Sequence, residues 1–173
     1  MMKNDILDYE SEFLEDIQKY EYQEMFEKAN NIVLGFVAST GATGGIPIPF
    51  ADAPLLVAQQ VAMMVAINGV FKIDIEKDAL KSLVTAVIGV GGATVIGKTV
   101  ASNLLKLIPG IGTVAGGMIS AGTAGIITLA LGKAYIEVCK EIRMGKLNQD
   151  DLAKKAGIDM MKKAFKKQIQ QNK

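Results

Sequence analysis

The stretch from Ser82 to Gly132 holds eleven glycines and only two charged side chains, Lys98 and Lys106. A glycine inside a helix costs up to about 1 kcal/mol relative to alanine. A helical reading of this stretch therefore requires close tertiary packing to offset several such costs. The spacing supplies a reason for the glycines. Gly112 and Gly116 are four residues apart, as are Gly117, Ala121 and Gly125. Four-residue spacing puts small groups on one helical face, where a neighbouring backbone can approach closely. Pro109-Gly-Ile-Gly112 is a strong turn signal between two apolar arms. The stretch reads as a glycine-rich apolar helical hairpin, with Gly116, Gly117, Ala121 and Gly125 as close-packing positions.

Helical periodicity dominates elsewhere. Ile6, Leu7, Phe13, Leu14, Ile17, Met25, Phe26, Ile32, Val33 and Phe36 keep a spacing near 3.6, which predicts one long helix or two consecutive ones over 5–42. The pattern dissolves in Ala38-Ser-Thr-Gly-Ala-Thr-Gly-Gly45. Pro47 and Pro49 then forbid helix. Asp52 suits an N-cap and Pro54 the first turn of a helix running to about Asn68, with Gly69 after it. Asp74 or Asp78 is expected to cap the next helix, whose face is Leu80, Leu83, Val84, Val87 and Ile88. Its path is expected to kink or break at Gly89, Gly91 and Gly92. A helix is expected from Thr113 to Met144, closed by Gly145. Asn148 caps a last one from Gln149 to about Gln170, with Leu152, Met161, Phe165 and Ile169 as its apolar stripe. Val84–Val90 and Thr94–Val100 are β-branched, but no hairpin signal pairs them. The fold class expected is all-α, a compact multi-helix single domain over 1–173 with the hairpin at its centre.

Charge divides the chain. Residues 1–30 hold nine acidic groups and three lysines, and residues 148–173 hold seven lysines and three aspartates. These are an acidic N-terminal helix and a basic amphipathic C-terminal one. Both read first as solvated helical faces. The second also suits an acidic partner or an anionic membrane through Lys162, Lys163, Lys166 and Lys167.

The chemistry available is narrow. The chain has no histidine, so serine–histidine and cysteine–histidine catalysis are excluded, as is the commonest metal ligand. The single cysteine, Cys139, allows no internal disulfide and reads as a small buried apolar residue in a reducing compartment. The charged opening MMKNDILDYESEF does not read as a secretory signal. No cofactor, metal or catalytic residue is expected. One arginine in the whole chain and few aromatics near the lysines argue against nucleic acid.

Gly92-Ala-Thr-Val-Ile-Gly-Lys-Thr99 does match the phosphate-loop pattern. In a true site the backbone amides on either side of Gly92 and Gly97 would cradle phosphates. Lys98 would reach the terminal phosphates and Thr99 would hold magnesium. Yet no acidic residue follows Lys98 until Glu137, no base-reading segment occurs, and the chain after Thr99 offers only helical patterns. Glycines that let helices approach are the preferred reading, and nucleotide binding is the alternative.

The 26 uncharged residues 107–132 are long enough to span a bilayer, but seven glycines make their hydropathy borderline. A hairpin buried in the protein and one that inserts into lipid both fit.

Three segments together carry a family resemblance. They are Ala38 to Pro54, including Gly-Gly-Ile-Pro-Ile-Pro-Phe-Ala-Asp-Ala-Pro, then Leu-Leu-Lys-Leu-Ile-Pro-Gly-Ile-Gly (104–112), and Ala-Gly-Thr-Ala-Gly (121–125) with Leu-Gly-Lys-Ala-Tyr (131–135). Over roughly 30–145 the chain resembles the helical domain of unknown function of YcjF-type bacterial proteins, often fused after Era-like GTPase domains. Pro47, Pro49, Phe50, Asp52, Pro54, Pro109, Gly110 and Gly112 would be its structural motif positions. The resemblance implies an all-helical, often membrane-associated bacterial domain without known catalysis, in the cytoplasm or on the cytoplasmic face of the inner membrane. No GTPase domain precedes it here, so a GTPase would be a separate partner. The function expected is a non-enzymatic helical interaction module, membrane-associated or amphitropic. Anionic lipid, a GTPase and further copies of the chain are the candidate partners. A phosphate-loop-like nucleotide binder and a pore-forming, membrane-inserting effector are the alternatives.

Overall fold

The computed structural model describes residues 2–42, 48–49, 53–88, 118–119 and 121–171. Among them the chain forms α1 (Met2–Ala42), β1 (Ile48–Pro49), α2 (Ala53–Phe71), α3 (Lys77–Ile88), β2 (Met118–Ile119), α4 (Ala121–Arg143), a 3-10 turn (Gln149–Asp151) and α5 (Lys155–Gln171). The all-α expectation holds, with one two-residue antiparallel pairing added. Ile48 faces Ile119 and Pro49 faces Met118. That pairing ties the proline-rich segment to the residues just before α4. It also corrects the expected helix from Thr113, because Met118 and Ile119 are extended and α4 starts at Ala121.

α1 is one continuous helix of 41 residues, about 60 Å long at 1.5 Å per residue. It ends at Ala42, at the expected boundary, and takes the one-helix form of the two the periodicity allowed. Side-chain contacts fix its partners. Phe26 meets Phe71 of α2 edge to face at 5.8 Å and lies 5.8 Å below the Lys140 ammonium of α4. Farther along, Val33 stands over Gly132 and Val37 over Gly125. Residue numbers rise on α1 as they fall on α2 and α4, so α1 runs antiparallel to both. α2 and α4 run parallel to each other, with Gln60 opposite Thr128 and Asn68 opposite Tyr135.

α2 shows why it sits in the middle. Val57, Gln60, Met63, Met64, Ile67, Asn68 and Phe71 are buried, a repeat of three and four that makes one continuous inner stripe. The helix passes through the expected stop at Gly69 and ends at Phe71. There Lys72 takes a left-handed φ of 53°, and the Ile73 amide bonds back to the Asn68 carbonyl at 3.0 Å. This is the six-to-one bond that closes helices, with lysine where glycine is usual. α3 buries the predicted face, Leu80, Leu83, Val84, Val87 and Ile88. It starts at Lys77, so Asp78 lies inside its first turn, where the helix dipole favours a carboxylate, and Asp74 lies outside the helix.

Gly145 closes α4 as expected, with φ at 70° and a 2.9 Å bond from the Lys146 amide to the Glu141 carbonyl. Asn148 also caps as expected, accepting the Asp150 amide at 3.0 Å. What it caps is the 3-10 turn, and α5 begins only at Lys155. The break turns Leu152 into the core, fully buried, and sets its backbone against Gly157, where a Cβ would collide. Met161, Phe165 and Ile169 then bury the expected stripe.

The expected hairpin's turn and first arm fall in 89–117, outside the described residues. So do Gly92, Gly97, Lys98 and Thr99 of the phosphate-loop match, Pro109, Gly110, Gly112, Gly116 and Gly117, and also Pro47, Phe50 and Asp52. Pro54 is the second residue of α2, and Ala121 opens α4.

Candidate functional site

Among the described residues the core has a polar seam between α2 and α4. Gln60 donates from its side-chain nitrogen to the Thr128 hydroxyl at 2.8 Å, and both are buried. One turn-pair farther, the Tyr135 hydroxyl donates to Asn68 Oδ1 at 2.6 Å. Gln60 Oε1 is buried and meets no donor among the described residues. Cys139 lies one turn beyond Tyr135, fully buried. Burial pushes its thiol far above the ordinary value of 9.0, and the neighbouring Tyr135 hydroxyl opposes this only in part. A neutral, enclosed thiol is a poor nucleophile and a poor metal ligand. The seam is built for packing, and Cys139 is the small buried residue that its context predicts.

Among the described residues, close packing at a glycine of α4 is found at Gly132. At Gly125 a Cβ would meet Val37 Cγ1 of α1 at 3.9 Å, an ordinary contact, and the hairpin arm expected to face this glycine lies outside the described residues. At Gly132 a Cβ would fall 2.6 Å from Val33 Cγ2 and 3.1 Å from Met63 Sδ. Gly132 is where α4 touches α1 and α2 together, and any side chain there would hold the three helices apart.

The exposed chemistry lies on α5. Met161, Ala164, Phe165, Gln168 and Ile169 face inward, which leaves the predicted lysines to the outside. Lys163, Lys166 and Lys167 are exposed and Lys162 is half-buried. They do not form one patch. Lys162 and Lys166 share one flank of the helix, with Lys155 on the same side. Lys163 and Lys167 sit about 100° farther round, on the side toward α4. Lys155 pairs with Asp159 at 2.5 Å, and Lys154 pairs with Asp151 at 2.7 Å. Each pairing raises its lysine above the usual range, and Asp159 is held below it by Lys155.

Lys163 and Lys167 border a groove of about 530 Å³ between α4, α5 and the middle of α1. Its floor is apolar, from Phe26, Val138, Met160 and Ala164, and Lys140 stands at its other edge. Glu137 and Glu141 also reach it, but both are engaged. Glu137 accepts Gln168 at 2.6 Å and Lys167 at 3.3 Å, and Glu141 pairs with Lys146 at 3.4 Å. The residues α1 and α4 contribute were not singled out in the sequence. Phe26 reads there as one more core position, and only the assembled crossing of three helices makes it a groove wall.

Among the described residues, no helix is long and apolar enough to cross a membrane, and no group of three or more acidic or cysteine side chains could hold a metal ion.

The chain is 28% identical over 113 residues to magnetosome membrane protein 22 of Magnetospirillum gryphiswaldense. The alignment covers 63% of this chain and 56% of that relative, so the chain spans a little over half of the relative's length. No solved structure matches. The family match reaches well beyond the 30–145 region of the sequence resemblance, taking in most of the acidic helix and all of the basic one. Over residues 9–173 the chain belongs to the family described as domain of unknown function DUF697.

Proposed function

We propose that this chain is a non-enzymatic helical module that adsorbs to anionic membrane surfaces through α5. The observation that carries the reading is the split of α5 into a buried apolar stripe and an outer face dominated by lysines. A docked helix of this kind offers charge and no apolar face to lipid. It would therefore bind peripherally, by attraction to headgroups, at about 1 kcal/mol per lysine near the surface. The relative named as a magnetosome membrane protein is in keeping with a membrane setting. The resemblance to GTPase-associated helical domains adds a separate GTPase as the partner proposed, and the site on a bacterial inner membrane's cytoplasmic face follows from the same resemblance.

The test is sedimentation with vesicles of phosphatidylcholine, with and without phosphatidylserine. Binding is expected only to the anionic vesicles and should weaken as salt is raised. Changing Lys162, Lys163, Lys166 and Lys167 together to glutamate is expected to reduce partitioning by roughly two to three orders of magnitude. Unchanged partitioning of that variant would overturn the lipid reading.

A further inference from the structure

Toward its N-terminus α1 carries described side chains that nothing covers. Every described side chain from Leu14 to Glu21 is exposed, including Leu14 at 59%, Ile17 at 40% and Tyr20 at 74%. The register explains why. Phe26 lies opposite both Phe71, where α2 ends, and Lys140, three residues before α4 ends. Among the described residues the helices that cover α1 stop there, and about twenty residues of α1 continue past them as an arm of roughly 30 Å. Leu14, Ile17 and Tyr20 recur at three-residue steps along it, a face that a lone helix in water has no use for. The arm is also strongly acidic, with seven carboxylates and two lysines between Met2 and Glu21.

The groove between α4 and α5 also holds Glu137 and Glu141, but Lys167, Gln168 and Lys146 engage them, which leaves Lys140 and Lys163 as its charges without a carboxylate partner among the described residues. It offers an apolar floor of Phe26, Met160 and Ala164, with Lys140, Lys163 and Lys167 along its edges. An acidic helix with an apolar stripe is the shape and charge that such a groove fits. The arm cannot fill its own groove. Phe26 is part of the groove wall, and α1 is unbroken from Met2 to Ala42, so the chain cannot turn back on itself. Two arms pairing with each other would set seven carboxylates against seven. We propose that the acidic arm of one copy lies in the lysine-edged groove of a second copy. Its groove receives the second copy's arm in return, in a closed two-fold dimer. The contact shares Lys163 and Lys167 with the lipid reading, but it forms in solution without vesicles, so the two are tested apart.

The test is sedimentation velocity on the full chain, without lipid, over a range of concentrations. The wild type is expected to dimerise. Leu14→Ser/Ile17→Ser/Tyr20→Ser alters the arm, and Lys140→Glu/Lys163→Glu alters the groove. Each is expected to weaken the dimer roughly tenfold or more, with an unchanged far-ultraviolet circular dichroism spectrum, since every altered side chain is exposed. A charge exchange then identifies the contact. A copy carrying Glu15→Lys/Asp16→Lys repels its own kind, as does a copy carrying Lys140→Glu/Lys163→Glu. Mixed, the two restore both arm–groove contacts and should form a heterodimer. A wild type that stays monomeric would overturn the proposal, as would a dimer indifferent to both sets of changes or a mixture that does not pair. So would a monomer whose arm variant loses vesicle binding, which would assign the arm to lipid.

Discussion

The Tyr135 hydroxyl of α4 donates to Asn68 Oδ1 of α2 across 2.6 Å, in a part of the core where Tyr135 has no exposed surface. The same asparagine accepts the Ile73 amide on its backbone carbonyl. One residue thus closes the end of α2 and fixes α2 against α4. Tyr135→Phe strips the donor and leaves a buried acceptor unpaired, at a cost of about 1–3 kcal/mol. Asn68→Leu/Tyr135→Phe removes both partners and should cost less than the two single changes added together. Urea unfolding of the four proteins measures the coupling, and strict additivity would refute it.

Gly132→Ala places a methyl group 2.6 Å from Val33 Cγ2. Helices α1 and α4 must separate, or Val33 must leave its rotamer, for about 1–3 kcal/mol. Val33→Ala opens the space. The double variant Val33→Ala/Gly132→Ala is therefore expected to be more stable than Gly132→Ala alone. Gly125→Ala, with only ordinary contact at Val37, should change the thermal midpoint little. A large loss at Gly125 and none at Gly132 would reverse this assignment.

Two helix ends take left-handed backbone with different residues. Gly145, at φ 70°, meets no neighbour that a Cβ would strike, so Gly145→Ala tests conformation alone. It should destabilise by about 1 kcal/mol. Lys72, at φ 53°, already carries that strain. Lys72→Gly should leave stability unchanged or raise it by up to about 1 kcal/mol. Denaturant midpoints of the two variants are expected to move in opposite directions, or only the first to move.

Burial pushes the Cys139 thiol well above 9.0 and the Tyr135 hydroxyl well above 10.0. Groups raised in this way favour the folded state fully at pH values below their unfolded pKa. As pH climbs past about 9 the unfolded thiol ionises while the folded one stays protonated, and stability falls by about 1.4 kcal/mol per pH unit for that group. Unfolding followed between neutral pH and about pH 10 should show a shallower decline in Cys139→Ala than in the wild type. Native Cys139 should also resist maleimide until denaturant is added. Parallel pH curves, or rapid labelling of the native protein, would contradict this placement of the thiol.

The legible parts of this fold are those decided locally. The spacing of Leu80, Leu83, Val84, Val87 and Ile88 gives the inner face of α3 directly. Gly145 and Asn148 announce their turns because few other residues suit a positive φ or an exposed side-chain acceptor at a helix start. Gly157 conceals the delayed start of α5, since the reason for that break is Leu152 filling a core position that only the tertiary fold creates. Gly132 was invisible for the same cause. A glycine's worth depends on what faces it, and Val33 lies a whole domain away in sequence. The lysines of α5 were countable, but their division into two flanks follows from which stripe the core claims. The groove needed Phe26, Lys140 and Met160 from three helices, and no pattern within one segment brings them together.

α1 is both a wall of the core and the whole of the projecting arm, with no joint between the two. Its outer half is therefore a rigid strut. A structure gripping Leu14 or Tyr20 would set the distance and the angle of the entire body, at a reach of roughly 30 Å, as a ruler does rather than a tether. A proline placed in that strut, for example Asp16→Pro, would leave the grip intact and destroy the measurement.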